Sequence, residues 1–359
     1  MLRLVKWSKV YYKTRSRLRV IRLDFQSRWP LGLPKRLKMW KLGFLSDKYV
    51  AYDLKKNDYR QYTTDYQEIM ARFINHPYSE ILNNKLIFER FYGEHVKIPR
   101  SYAIIDKGLI YGYDCHRKGY NEPRTNIGLE VKKLAGQYGK LVLKPIKGAM
   151  GEGVMILSGA GAERLSINNS VYEISALEDS FRSLKNYFVS EYIEQAVYSK
   201  NIFPEAMNSM RILTMIDPDN SMPFIAAAVK RIGTSKSAPV DNNTIGGIAA
   251  AIDIDTGELS KASQFTGGEV VWHSKHPDSG AVIEGLVIPN WANIKEQIYK
   301  LLMCFPMIKY VGWDIAEQDE GIVALEGNNH PQMRLLQIHK PLLADERVVR
   351  FYRYHQIIK

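Results

Sequence analysis

One stretch constrains this chain more than any other: Leu141-Val142-Leu143-Lys144-Pro145-Ile146-Lys147-Gly148-Ala149-Met150-Gly151-Glu152-Gly153-Val154-Met155-Ile156. An apolar, β-prone run delivers a lysine to its end, a glycine-studded loop follows, and a second apolar run continues to Leu157. A strand, a flexible loop and a strand lay backbone N–H groups over a polyphosphate while a lysine neutralises its charge. An ordinary hairpin with a glycine turn fits the same residues, so the stretch fixes local structure and leaves its use open.

Several later apolar runs carry isolated polar residues, and burying a charge without a partner is expensive. Glu191 lies in the run 187–194, Arg211 in 210–216, Asp314 in 311–316, and Glu326 with Asn328 in 322–328. Strand alternation places Glu326 and Asn328 on one face. Asp314 belongs to the preceding strand of the same hairpin, across the turn at 318–321, and is placed to face them. Two carboxylates and an amide oxygen are hard ligands of the kind Mg²⁺ accepts beside phosphate oxygens; a solvated polar face is the alternative. Arg231 ends a strand, and Asp241-Asn242 open a glycine-rich loop, so these three either line an acceptor pocket or satisfy a turn. Arg334, six residues past Asn328, either grips a carboxylate or acyl phosphate bidentately or lies on the surface. The eight histidines show no zinc spacing.

The net charge of +12 is not spread over the chain. Residues 1–45 hold thirteen Lys/Arg against one acid, Asp24, and the remainder balances at 37 against 37. In this leader Trp7, Val10, Tyr11, Thr14, Leu18, Ile21 and Phe25 recur at helical spacing among the basic residues. Such a helix suits an anionic membrane surface or an acidic partner; packing of its stripe on the chain's own body is the competing reading. No motif supports nucleic acid. Cys115 and Cys304 make neither a metal spacing nor a disulfide framework, which suits a reducing compartment. No apolar run reaches the roughly 18–20 residues of a membrane span. A cytoplasmic protein, peripheral at the inner membrane face, is therefore expected. The element pattern predicts an α+β fold with a mainly antiparallel C-terminal half. Its expected divisions are a basic helical leader (1–45), an N-terminal region (46–122), a small subdomain (123–200) and a large one (201–359). The stretch 170–187 reads as irregular.

Taken in order, these pieces resemble the ATP-grasp superfamily, specifically its sugar-transfer-associated group from cell-surface polysaccharide biosynthesis. The resemblance covers roughly residues 38–345. It rests on Asn84-Lys85-Leu-Ile-Phe, Leu143-Lys144-Pro145 with its glycine loop, Val189-Ser190-Glu191-Tyr192-Ile193, Asn208-Ser209-Met210-Arg211-Ile212-Leu213-Thr214, Asp241-Asn242-Asn243-Thr244-Ile245-Gly246-Gly247, Gly312-Trp313-Asp314 and Glu326-Gly327-Asn328. It implies a nucleotide held between two α+β subdomains, with ATP and Mg²⁺ as cofactors. Lys85 and Lys144 would reach the phosphates, and the loop 147–153, with Lys147, Gly148, Gly151 and Gly153, would close over them. Glu191, Tyr192 and Ile193 would lie on the hinge strand at adenine, with Glu194 near the ribose. Arg211 would stabilise the transferring phosphoryl, and Asp314, Glu326 and Asn328 would ligate metal.

The implied activity is ligation of a small-molecule carboxylate to an amine through an acyl phosphate, one partner an amino acid and the other a sugar or glycan precursor. A sugar kinase on the same scaffold and a non-catalytic nucleotide-binding scaffold are the alternatives. Phosphoryl transfer depends on positioning and charge neutralisation, which suits a constellation of lysines, an arginine, acids and glycines.

Overall fold

A computed structural model describes residues 2–26, 31–114, 122–148 and 151–359, with side-chain surroundings from Thr14 onward. Two seven-stranded sheets dominate it. The first contains β1 (Ser101–Asp106), β2 (Leu109–Gly112), β3 (Leu141–Pro145), β4 (Met155–Gly159), β5 (Arg164–Ile167), β6 (Ser170–Glu173) and β7 (Tyr187–Glu191), in the order β2-β1-β7-β3-β4-β5-β6. The second contains β8 (Met210–Ile216), β9 (Pro223–Ile232), β10 (Ile248–Ile252), β11 (Leu259–Thr266), β12 (Glu269–His273), β13 (Tyr310–Gln318) and β14 (Gly321–Asn328), in the order β12-β11-β10-β9-β8-β13-β14. The pairings within both sheets are antiparallel. With the helices between them, this is the expected α+β fold.

Period-two alternation explains how each sheet is covered. In β3, Leu141 and Leu143 are fully buried against helices Ile127–Tyr138 and Ile174–Ser183, which leaves Val142 and Lys144 on the opposite face. That opposite face turns toward the second sheet. In β8 every residue is buried, because the sheet is covered on both sides. Met210 and Ile212 join the core packed by helix Trp291–Met303, while Leu213 and Met215 join the one packed by helix Glu346–Tyr354. A continuous apolar run therefore needs no alternation to be a strand here. Each such aliphatic side chain contributes about 1.5–3 kcal/mol through burial.

Three expectations are corrected. The stretch 170–187 is not irregular: it holds β6 and helix Ile174–Ser183, which anchors itself through Leu177 and Phe181, one turn apart. β6 escapes notice because it is an edge strand exposed along its whole length. Nor does the first sheet respect a boundary at 122, since β1 pairs with β7 and β2 with β1.

The third correction concerns the leader. It is helical, as α1 (Leu2–Gln26), but the expected stripe is not its docking face. Leu18 and Phe25 are 61% and 60% exposed, whereas Ser16, Val20 and Asp24 are buried at four-residue spacing. Trp7, Val10 and Tyr11 lie outside the described side chains. The leader's one acid fastens it. Asp24 is fully buried and accepts from Arg36 (3.0 and 3.1 Å) and Trp40 Nε1 (2.8 Å). Ser46 adds its N–H (2.6 Å) and hydroxyl (2.7 Å). Arg36 and Trp40 belong to α2 (Leu33–Leu42), so Asp24 ties the first helix to the second and to the turn after it. Despite burial, which works the other way, these donors hold the Asp24 carboxyl below the usual range. Among the described residues no helix is long and apolar enough to cross a membrane.

Candidate active site

The cleft faces of the two sheets enclose a cavity of about 200 Å³. From the first sheet come Val142 and Lys144, together with Glu191, Tyr192 and Ile193 at the end of β7. From the second come Arg231, Asp314, Leu325 and Glu326. Lys85, Gly148 and Gly151 close one side.

Register builds the acidic wall. Arg211 on β8 lies directly opposite Asp314 on β13, which in turn lies opposite Glu326 on β14, so three charged residues form one row across three strands. Both carboxylate oxygens of Asp314 are taken. Arg211 binds them through Nε and through Nη2 (3.0 Å), and Arg231 Nη1 adds a bond of 3.0 Å. Burial alone would raise the Asp314 pKa, but the two guanidinium groups bring it below the usual range. Arg231 also pairs with Asp241, and Asp241 accepts from the Ser209 N–H (2.8 Å) and hydroxyl. Burial opposes the charge on Arg231, yet Asp241 and Asp314 overcome it and raise its pKa.

The basic wall is built differently. Lys85 opens helix Lys85–Tyr92, whose first N–H groups are capped by the Asn84 side chain (3.1 and 3.3 Å). Its ammonium reaches Glu326 (3.1 Å) and donates to the Gly148 carbonyl (3.2 Å), bridging the glycine loop to the second sheet. Lys144 has no such partner. Among the described residues its ammonium makes no ion pair or hydrogen bond, only an approach to the Phe188 ring at 5.3 Å from the centroid. Burial and the neighbouring Lys85 charge lower its pKa to about 8, and the charges of Glu326 and Glu89 oppose that shift without cancelling it.

The glycine loop is described only in part, because Ala149 and Met150 lie outside the described residues. Gly151 adopts a left-handed φ of +70°, and a Cβ there would sit 3.0 Å from Val240, so the loop abuts the second sheet's side of the cleft. Gly153, at φ +72°, carries no wall of the cavity; a Cβ there would strike the Tyr187 hydroxyl.

Of the residues singled out by sequence, the cavity gathers Lys85, Lys144, Gly148, Gly151, Glu191, Tyr192, Ile193, Arg231, Asp241, Asn242, Asp314 and Glu326. Asn328 lies just behind, with its amide on Glu326 (3.3 Å). Four others point elsewhere. Lys147 reaches out to Glu80 (2.7 Å) on the surface, and Glu194 pairs with Lys200 away from the cavity. Arg334, expected at a substrate carboxylate, is committed to Asp47 (3.0 Å) and stacks over Phe265 (4.7 Å). Arg211 is buried behind Asp314 and also held by the Pro331 carbonyl (2.9 Å); Arg231 is the arginine that faces the cavity.

Sequence reading passed over the apolar half of the wall: Val142, Val154, Ile156, Met207 and Leu325, a flat greasy slot beside Ile193. Alternation from Lys144 back to Val142 was the available signal. Among the described residues, no group of three or more His, Cys, Asp or Glu could hold a metal ion. The expected metal triad differs from such a cluster, having one amide and one carboxylate already held by two arginines.

Comparison with known proteins supplies the remaining information. Among curated proteins no match is found. Solved structures similar to the chain include an L-amino acid ligase from Bacillus licheniformis, at 9% identity and TM-score 0.36, covering 70% of this chain and 41% of that one. A D-alanine–D-alanine ligase from Bacillus anthracis has 15% identity and TM-score 0.39, with 77% and 68% covered. D-alanyl-alanine synthetase A from Vibrio cholerae has 10% identity and TM-score 0.42, with 78% and 67% covered. The chain thus spans about two fifths of the length of the first of these. The family model for sugar-transfer associated ATP-grasp proteins matches residues 66–349, which leaves out the leader, the segment 46–65 after it and the last ten residues. On that match the chain belongs to the sugar-transfer associated ATP-grasp family.

Proposed function

We propose that the chain is an ATP-dependent carboxylate–amine ligase that forms an amide through an acyl phosphate, joining an amino acid to a sugar or glycan precursor. The carrying observation is Lys144: a desolvated ammonium with no ion pair among the described residues, held in a cavity whose opposite wall carries Asp314 and Glu326. An ammonium so placed is stabilised by an incoming polyphosphate, which supplies the charge the protein withholds. Lys85 sits beside it and takes the same role once it exchanges Glu326 for phosphate oxygens. The apolar slot at Val142, Ile156, Ile193 and Leu325 suits a flat heteroaromatic base.

The donor set on β13 and β14 fits Mg²⁺ in kind: hard oxygens on directly opposed residues, with the Lys85 ammonium now occupying the cationic place beside Glu326. Glu326 and Asn328 would hold the ion, with Asp314 joining them on giving up one of its arginine bonds, and the ion would neutralise phosphate charge. In the reaction a carboxylate oxygen attacks the γ-phosphorus and the bond to the β-phosphate oxygen breaks, releasing ADP. The amine then attacks the acyl carbon and phosphate leaves, while the amine's surplus proton passes to solvent. Arg231, facing the cavity, is placed to steady the developing charge, with Asp314 and Asp241 holding it in position.

Release of ADP is measured over amino acids crossed with uronic acids and amino sugars, with Glu326→Gln as the blank. Turnover requires both a carboxylate and an amine, and hydroxylamine in place of the amine yields a hydroxamate. Phosphorylated sugar without hydroxamate would instead establish a kinase. The exposure of Leu18 and Phe25 among the arginines of α1 also supports contact of the leader with an anionic membrane. Leu18→Gln then weakens binding to anionic vesicles, and unchanged binding refutes the contact.

A further inference from the structure

Behind the ATP-grasp cleft lies a second cavity, of about 330 Å³, between α1 and the body. Arg15 and Arg19 reach it from α1, and Arg72 and His76 from the segment after helix Asp65–Ala71. Ser79 and Asn83 form its rim. No carboxylate lines it, and among the described residues the three guanidinium groups make no ion pair or hydrogen bond. Arg15 and Arg19 are exposed at the cavity's mouth and Arg72 is half-buried, whereas the more deeply placed Arg36, Arg231 and Arg334 each have a carboxylate partner, Asp24, Asp241 and Asp47. Glu68, one turn before Arg72, is engaged by the Met333 N–H (3.0 Å) and by His330 (3.3 Å). Burial and the Arg19 charge together hold Arg72 below the usual arginine range, and the Glu68 charge offsets them only in part.

The floor is preorganised. Asn329 is buried, receives the Asn75 amide (2.7 Å), and donates to the Ser79 carbonyl (3.2 Å) and the Asn83 side chain (3.2 Å). Asn329 follows Asn328, and Asn83 precedes Asn84 and Lys85, so two chain segments pass directly from this cavity to the other.

We propose that this arginine cavity is a binding site for a phosphate-bearing group, a phosphate monoester or diphosphate, distinct from the phosphate site at Lys85 and Lys144. Planar guanidinium groups match phosphate oxygens bidentately, and three converging without a carboxylate leave a place for an anion. The inference does not rest on the ligase reading, because its residues are separate from that cleft. It makes the basic leader part of a site: Arg15 and Arg19 recruit an anionic group beside the segments that carry Lys85 and Asn328.

The test uses the full-length chain with a non-hydrolysable ATP analogue at saturation and calorimetric titration of inorganic pyrophosphate at low ionic strength. The wild type binds saturably, and Arg19→Gln with Arg72→Gln weakens binding at least about tenfold. The charge-matched surface pair Lys107→Gln with Lys185→Gln does not. Should the arginine variant fail to fold, Asn83→Asp serves: it keeps an acceptor for Asn329, adds a carboxylate to the rim and weakens binding comparably. Equal affinity across these proteins, or no saturable binding, overturns the proposal. Vesicles distinguish the source. A preference for phosphatidic acid over equally charged phosphatidylglycerol that disappears in the arginine variant assigns a lipid-borne phosphate. No such preference, with pyrophosphate binding intact, assigns a soluble ligand.

Discussion

The two walls of the cleft handle charge in opposite ways. On the second sheet Asp314, Asp241, Arg211 and Arg231 saturate one another, and each buried charge has a partner. On the first sheet the half-buried Lys144 has an aromatic ring and another cation for company. A saturated network defines geometry, since its members have no freedom to move without losing bonds. An unsaturated charge defines affinity, because the missing partner is what arrives. On the proposed reading the acidic wall is the frame and the basic wall the receptor, although sequence alone ranks their residues as equals.

The contrast is broken most severely at Asp314. Asp314→Ala leaves two buried guanidinium groups facing each other, and stability falls by about 3–5 kcal/mol in denaturant titration. Loss of activity follows from loss of the frame. A cost below about 1 kcal/mol would show that the network is not a frame at all.

Next in size is Lys144→Met, which separates function from stability. ATP turnover drops about 10²–10³-fold, as for removal of a preorganised charge at a transferring group. Stability moves the other way. Folded Lys144 loses its proton near pH 8 and the unfolded chain near 10.5, so between those values the unfolded state holds more protons and wild-type stability rises with pH. The Met variant buries no charge and lacks that rise. Below pH 8 it melts a few degrees higher than wild type, by roughly 2–4 °C per kcal/mol gained, and the gap closes by pH 10. ATP affinity of the wild type falls as pH rises through 8. A variant less stable than wild type at pH 7 would mean that Lys144 has a partner after all.

How far this division was legible depends on the range of the interaction concerned. Lys144 was readable because alternation along β3 is local, and its apolar neighbours Leu141 and Leu143 fix the face. That Asp314 and Glu326 lie near one another was readable from their tight hairpin, but their direct opposition was not, because a bulge between Asp314 and Ile315 shifts the register by one residue. What escaped depends on partners far along the chain. Arg211 and Arg231 sit on neighbouring strands, and the Pro331 carbonyl helps draw Arg211 inward, leaving Arg231 to the cavity. The docking face of α1 was misread because apolar spacing marks Leu18 and Phe25, while a buried carboxylate, Asp24, supplies the attachment. A rule that counts apolar residues has no means of ranking one well-bonded acid above several exposed side chains.

The smaller effects sharpen the comparison by testing residues that resemble site members and are not. Arg334→Ala removes a cation from Asp47, which keeps Lys48 (3.0 Å) as partner, so stability falls by about 1–3 kcal/mol while the KM for the carboxylate substrate is unchanged. A raised KM with intact stability would return Arg334 to the substrate.

Lys147→Ala is the weakest perturbation and the most direct check on the glycine loop. Its ammonium and Glu80 are both well exposed, and such surface pairs contribute about 0–1 kcal/mol. Stability should change within about 0.5 kcal/mol. Turnover should change less than about threefold, since Lys85, not Lys147, connects the loop to the carboxylate wall through Gly148. A hundredfold loss of turnover in Lys147→Ala, with unfolding unchanged, would mean that the loop swings this lysine inward when nucleotide binds. The basic wall would then contain three amines, and Lys144 would no longer be its only unpaired charge.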